Sequence, residues 1–157
     1  MIKQIFSDMD GTILNGSGEI NTKTADFLKE YPIPLTLVSA RAPMEMEFAI
    51  DELGLTGPQI AFNSGLIFEK SAHGITKLLS HPIPHDLAIN IIDFIKKEFP
   101  KATISWYTAN SWNVFEFNED VDYQVRLTKR KYHLQTEIGK EDIYKIMILD
   151  EIGRASC

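Results

Sequence analysis

The run FSDMDGTIL, residues 6–14, sets two aspartates one residue apart, Asp8 and Asp10, at the end of an apolar stretch, with Gly11 directly after them. No basic residue flanks either one along the chain. Two carboxylates this close repel, so one titrates high unless a cation intervenes. A turn is the plainest account of the pair, because Asp-Gly is common at turns and an aspartate satisfies loop N–H groups. A calcium loop is a second account, with Glu19 at the twelfth position counted from Asp8. That loop needs glycine at its sixth position, where Ile13 stands, and a helix before it, so the sequence argues against it. The third account is chemical. One carboxylate attacks as a nucleophile, the other gives and takes a proton, and a hard cation such as magnesium bridges the site to a phosphate. Gly11 would let the backbone approach that phosphate closely, and nearby N–H groups could donate to it.

The surrounding elements decide whether such a site can be assembled. IKQIFS (2–7) reads as a strand that stops at the aspartates. A Gly, Asn and Ser-rich loop follows, and a helix is expected from Asn21, a good N-cap, with Ala25, Leu28 and Tyr31 on one side. PLTLVSA (34–40) reads as a second buried strand. Pro43 suits the first position of a helix that carries Met46, Ile50 and Leu53 and stops at Gly54. QIAF (59–62) reads as a third strand, and NSG (63–65) turns the chain into the apolar run LIFE. Strand and helix thus alternate over the first 70 residues, which predicts an α/β fold with parallel strands. Ligands in such sheets sit beyond the carboxyl ends of the strands, where Asp8, Asp10, Ser39 and Asn63 all fall.

The texture changes at HPIPHD (81–86), whose prolines mark a crossing between modules. An amphipathic helix over about 85–98, with Leu87, Ile91 and Ile95 on one face, is expected next. An aromatic, β-branched hairpin over 102–117 and a last strand over 142–149 follow, and NEDVDYQVRLTKRKY reads as helical. Trp106 and Trp112 are read as the hairpin's own core. His73, His81, His85 and His133 have no ligand-like spacing, and the basic run LTKRKYH (127–133) reads as a solvated face.

The 157 residues suffice for one domain or two small modules. Net charge is −6, which argues against nucleic acid as a partner and against anionic membranes. The one cysteine, Cys157, excludes a disulfide framework and suits a reducing cytoplasm. No run approaches the ~18 apolar residues of a membrane span, and the first residues show no signal-peptide pattern.

Several segments together resemble the haloacid dehalogenase-like superfamily, in its Cof-type phosphatase branch. DMDGTIL is similar to that superfamily's first motif, DxDGTL, and LVSAR to its second, a strand ending in Ser or Thr. GPQIAFNSGLIFE resembles the segment that follows in Cof-type enzymes, and YKIMIL a strand of their α/β cap. The resemblance implies a Rossmann-like parallel-sheet core over residues 1–81 and part of an α+β cap over 82–157. It implies magnesium-dependent hydrolysis of small phosphomonoesters such as sugar or cofactor phosphates. Asp8 would be the nucleophile that becomes an aspartyl-phosphate, and Asp10 the proton donor and acceptor. Asp8 would ligate magnesium through its side chain and Asp10 through its backbone carbonyl. Met9, Gly11 and Thr12 would form the loop around the phosphoryl group, and Ser39 would hydrogen-bond it. Arg41 and Asn63 stand near the site by the family pattern; a solvated helix-entry residue and a plain turn residue remain their alternatives.

The family's third motif, a lysine, and its fourth, an acidic GDxxND-like run, are not evident, and Lys145 lies inside the cap-like strand and is not assigned to the lysine's place. The expectation is therefore a chain that stops within the cap, has little activity alone, and leaves a sheet edge open to self-association. A phosphomutase on the same core, or a non-catalytic fragment, are the competing readings.

Overall fold

The computed structural model describes residues 2–149. The chain divides into two compact units, Met1–His81 and Pro82–Cys157.

The first unit alternates β1 (Ile5–Asp8), α1 (Thr22–Glu30), β2 (Leu35–Val38), α2 (Pro43–Leu53) and β3 (Gln59–Ala61), then adds a hairpin of β4 (Leu66–Ser71) and β5 (Gly74–Ser80). Its sheet runs in the order β1-β2-β3-β4-β5. The first three strands are parallel, with Asp8 beside Val38 and Val38 beside Ile60; β4 and β5 are antiparallel to their neighbours. Local chemistry sets the helix ends. Asn21 caps α1 by accepting a hydrogen bond from the Lys23 N–H. Pro43 opens α2, and Gly54 closes it in the left-handed conformation at φ 64°, where glycine avoids the Cβ penalty. Met9, Leu37, Met46, Ala49, Leu66 and Phe68 are fully buried. Gln59 is buried among them, and both ends of its amide are used: Oε1 accepts from Leu37 N and Nε2 donates to the Gly57 carbonyl.

Three details differ from the sequence reading. Tyr31 lies past the end of α1 and is exposed. β5 had no periodicity to reveal it, because as an edge strand it leaves both Leu78 and Leu79 in solvent. The edge beyond β3 is covered by β4, so only the β1 side of the parallel strands lacks a partner strand among the described residues.

The second unit holds α3 (His85–Glu98), β6 (Thr103–Tyr107), β7 (Trp112–Val114), α4 (Glu119–Thr128), β8 (His133–Leu134) and β9 (Lys145–Leu149). Its sheet order is β8-β7-β6-β9. The hairpin is present as the antiparallel β6–β7 pair, and β9 adds antiparallel to β6; the two-residue β8 was not foreseen. α3 buries Ala88, Ile92 and Ile95 against Ile104, Trp106 and Ile143. The buried stripe is thus turned from the expected one, and Leu87 is exposed. Both tryptophans are buried: Trp106 packs on Phe115, and Trp112 stacks on Tyr107 with centroids 6.2 Å apart. Asn118 caps α4 by accepting from Val121 N. Among the described residues, no helix is long and apolar enough to cross a membrane.

Candidate functional site

Asp8 is the last residue of β1, in register with Val38, so its side chain leaves the sheet beside the residue that precedes Ser39. It is exposed. Its Oδ1 accepts from the Met9 N–H at 2.7 Å, and its second carboxylate oxygen has no partner among the described residues. Met9 then plunges into the core. Its carbonyl gathers the N–H groups of Thr12, Ile13 and Leu14 at 3.3, 3.1 and 2.8 Å, which folds the loop back on itself. The fold-back passes through Gly11 at φ 74°. A Cβ there would meet nothing within 4 Å, so in this structure glycine serves the backbone conformation and no crowding dictates it.

Asp10 is not an unpartnered carboxylate. Arg41, distant in sequence, donates Nε to Asp10 Oδ2 at 2.9 Å and Nη2 to Oδ1 at 2.7 Å. The Asp10 carboxyl is held below its ordinary value, first by the hydrogen bonds from Arg41, against a smaller opposing effect of partial burial. The cation that offsets the Asp10 carboxylate is therefore an arginine of the chain itself. Arg41 is steadied from its other side: Nη1 donates to the Glu45 carbonyl at 3.3 Å, and the guanidinium lies 5.9 Å from the Phe48 ring centre.

Glu45 is the residue the sequence reading missed. Its carboxylate accepts from Ala42 N at 2.8 Å, half of a capping box, since the methyl of Ala42 cannot return the bond. The signal was present: a proline at the first helical position with glutamate two residues on.

Ser39 follows β2 and is buried. Its Oγ accepts from Arg41 N at 3.1 Å, which leaves its O–H free to donate. Beyond β3, Phe62, Asn63 and Ser64 all have positive φ, at 52°, 53° and 77°. Such a conformation costs roughly 1–2 kcal/mol per residue for L side chains and persists where neighbours enforce it. Here Phe62 N donates to the Arg41 carbonyl at 3.0 Å and Asn63 N to the Ser39 carbonyl at 3.1 Å. Hydrogen bonds thus tie Asp10, Arg41, Ser39 and Asn63 into one cluster at the carboxyl ends of three adjacent strands. Thr12 is exposed and joins only through its backbone.

The oxygen donors on offer are the Asp8 carboxylate and the Asp10 backbone carbonyl. Among the described residues, no group of three or more His, Cys, Asp or Glu side chains could hold a metal. Two oxygens nevertheless suit magnesium, which is commonly held by one or two carboxylates together with water and substrate phosphate.

A family model for haloacid dehalogenase-like hydrolases matches residues 5–156. A candidate phosphatase of Haemophilus influenzae is 27% identical over 155 residues, covering 96% of this chain and 58% of that protein. A phosphoglycolate phosphatase of Thermoplasma volcanium is 24% identical over 169 residues, covering 87% of this chain and 75% of that protein. Among solved structures, a haloacid dehalogenase-like hydrolase from Bacteroides thetaiotaomicron superposes with a TM-score of 0.80 at 20% identity, covering 98% of this chain and 60% of that one. That likeness bears on the fold, an α/β arrangement. The chain spans about three fifths of the length of the Haemophilus and Bacteroides proteins.

Proposed function

The chain belongs to the haloacid dehalogenase-like hydrolase family, and we propose that it serves a magnesium-dependent phosphatase acting on small phosphomonoesters through an aspartyl-phosphate. The observation that carries this reading is the unequal state of the two carboxylates. Asp8 keeps a carboxylate oxygen with no protein partner, whereas Asp10 is gripped by Arg41.

In this reading an oxygen of Asp8 attacks phosphorus, an Asp8–phosphorus bond forms, and the ester P–O bond breaks. The leaving alkoxide takes its proton from Asp10. Water then attacks the phosphoryl-aspartate, gives its proton to Asp10, and frees Asp8 and inorganic phosphate. The grip of Arg41 keeps Asp10 ionised, so Asp10 must first take up a proton from water before it can donate one, and that uptake requires the grip to loosen. An arriving phosphate does this, because it is itself a fork-shaped partner for guanidinium. The Ser39 O–H donates to the phosphoryl oxygens. Magnesium would be held by the Asp8 side chain and the Asp10 backbone carbonyl, where it offsets the charge between nucleophile and phosphate.

Residues 82–157 are read as part of a cap that selects a sugar or cofactor phosphate. The site is read as belonging to a cytoplasmic protein that self-associates through the open edge of β1. The test of the chemistry uses beryllium fluoride, which mimics a phosphoryl group on a carboxylate, followed by 19F NMR alongside phosphate release from an aryl phosphate. A bound fluoride signal that needs both magnesium and Asp8, and that vanishes in Asp8→Asn, is the expected result. No bound signal in the unaltered chain, or one that survives Asp8→Asn, overturns the assignment.

A further inference from the structure

Asn15, Gly16 and Ser17 form an exposed loop just after the two aspartates. The loop is clasped at its base. Leu14 bridges to both Asp10 and Ile20, Asn15 N donates to the Glu19 carbonyl at 2.9 Å, and Gly18 N donates to the Asn15 carbonyl at 2.9 Å. The Asn15 side chain folds over the same turn: its Oδ1 accepts from Ser17 N at 2.9 Å and from Glu19 N at 3.0 Å. A side-chain oxygen bonded to the second residue along the chain lies over the peptide between them, which here is that of Gly16.

This arrangement favours attack of the chain on itself. The Asn15 amide carbon is polarised, because two N–H groups bind its oxygen where charge gathers as a nucleophile adds. The nucleophile is the Gly16 nitrogen, and its N–H has no partner among the described residues. Glycine sets no side chain beside that nitrogen, and the two reacting atoms belong to adjacent residues, so closing the ring costs little freedom. Asn15 alone among the asparagines precedes glycine. Asn21 accepts a similar hydrogen bond from Lys23 N, but the residue between is the β-branched Thr22. After Asn110, the Ser111 N–H is committed to Thr108 Oγ1 at 3.1 Å.

We propose that Asn15 is a self-modification site, converting to a cyclic imide with Gly16 and then to aspartyl and isoaspartyl products. Hydroxide takes the proton of Gly16 N, which bonds to Asn15 Cγ. The Cγ–Nδ2 bond breaks, and the nitrogen takes a proton from water and leaves as ammonia. Water then opens the imide. Cleavage at Cγ leaves an ordinary aspartate. Cleavage at the backbone carbonyl leaves an isoaspartate, whose chain continues through the former side chain. Either product adds a carboxylate. The second also lengthens the backbone by one carbon inside the clasp and turns the carbonyl that accepts from Gly18 N into a carboxylate.

The test incubates the full chain at neutral and at mildly alkaline pH and maps its peptides by mass spectrometry, with electron-transfer fragmentation to separate aspartate from isoaspartate. The expected result is that both products accumulate at Asn15 before any other asparagine reacts, and faster at the higher pH. Gly16 is not in the left-handed region, and a Cβ there would meet nothing within 4 Å, so Gly16→Ala keeps the fold; it should slow the reaction several-fold by crowding the nitrogen. An intact Asn15, products that appear first at another asparagine, a rate unchanged in Gly16→Ala, or products that form only once urea has unfolded the chain overturns the proposal.

Discussion

Arg41 holds Asp10 with two nitrogens, at 2.9 and 2.7 Å, across 31 residues of sequence. This fork-to-fork pairing is the stronger form of a charged hydrogen bond, but it is exposed, with 56% of the Asp10 side chain accessible. Its worth is therefore that of a surface pair, about 0–1 kcal/mol. The sign of its pH dependence follows from the direction of the shift. Asp10 titrates lower in the folded chain than in the unfolded one, so the pair stabilises above the ordinary carboxylate value and that stabilisation is lost as pH falls through the folded value. Asp10→Asn should lower Tm by no more than about 3 °C at pH 7, and the gap to the unaltered chain should narrow at a pH below the ordinary carboxylate value. Thermal melts at the two pH values check this; a gap that widens in acid contradicts it.

Arg41→Lys keeps the charge and loses the fork. Charged hydrogen bonds contribute about 1.5–3 kcal/mol, so the beryllium fluoride complex should weaken by roughly ten- to a hundredfold if the guanidinium passes from Asp10 to the phosphoryl group. A fluoride titration followed by 19F NMR gives the ratio. Unaltered affinity would confine Arg41 to holding Asp10.

The outline of the first unit was legible because its signals are local. Asn21, Pro43 and Gly54 mark helix ends through their own chemistry, and all three do so in the structure. The positions of Asp8, Ser39 and Asn63 at strand ends followed from the alternation of elements. What could not be read was contact across sequence. The family pattern placed Arg41 near the site, but nothing near Asp10 in the chain announces their pairing, and nothing near Arg41 announces the Glu45 carbonyl and Phe48 ring beside it. β5 escaped for a different reason: an edge strand with two adjacent leucines in solvent carries no period-two pattern to detect.

Glu45→Ala removes the acceptor for Ala42 N. Loss of a helix cap costs about 0.5–2 kcal/mol, and urea unfolding should show that drop with an unchanged slope. The same variant leaves the Glu45 backbone carbonyl in place under Arg41, so fluoride binding should hold while stability falls. Equal loss of both would mean that α2's first turn positions Arg41.

Asn63 separates a turn residue from a site residue. Its φ of 53° sits between two further positive-φ residues, and its backbone N–H is committed to Ser39. Asparagine tolerates this region better than alanine does, and glycine tolerates it best. Asn63→Ala should cost about 1 kcal/mol, whereas Asn63→Gly should be within about 0.5 kcal/mol of the unaltered chain. If Asn63→Gly is stable and also binds beryllium fluoride normally, the residue serves the turn; if it is stable and binds weakly, the side chain reaches the phosphoryl group.

Phe6 tests the open edge. It lies on β1, 63% exposed, on a strand whose outer side has no partner among the described residues. Unpaired N–H and C=O groups beside an exposed aromatic ring form a template for a second strand. Lysine is the residue that edges use to discourage such pairing. Because Phe6 is exposed, Phe6→Lys should change stability by only about 0.5 kcal/mol, so any effect on association is not an effect on folding. In sedimentation equilibrium the unaltered chain should gain apparent mass with concentration, and Phe6→Lys should remain at the monomer mass. A chain that is monomeric across the range without the substitution would end the self-association reading, and a Phe6→Lys chain that still associates would move the contact away from β1.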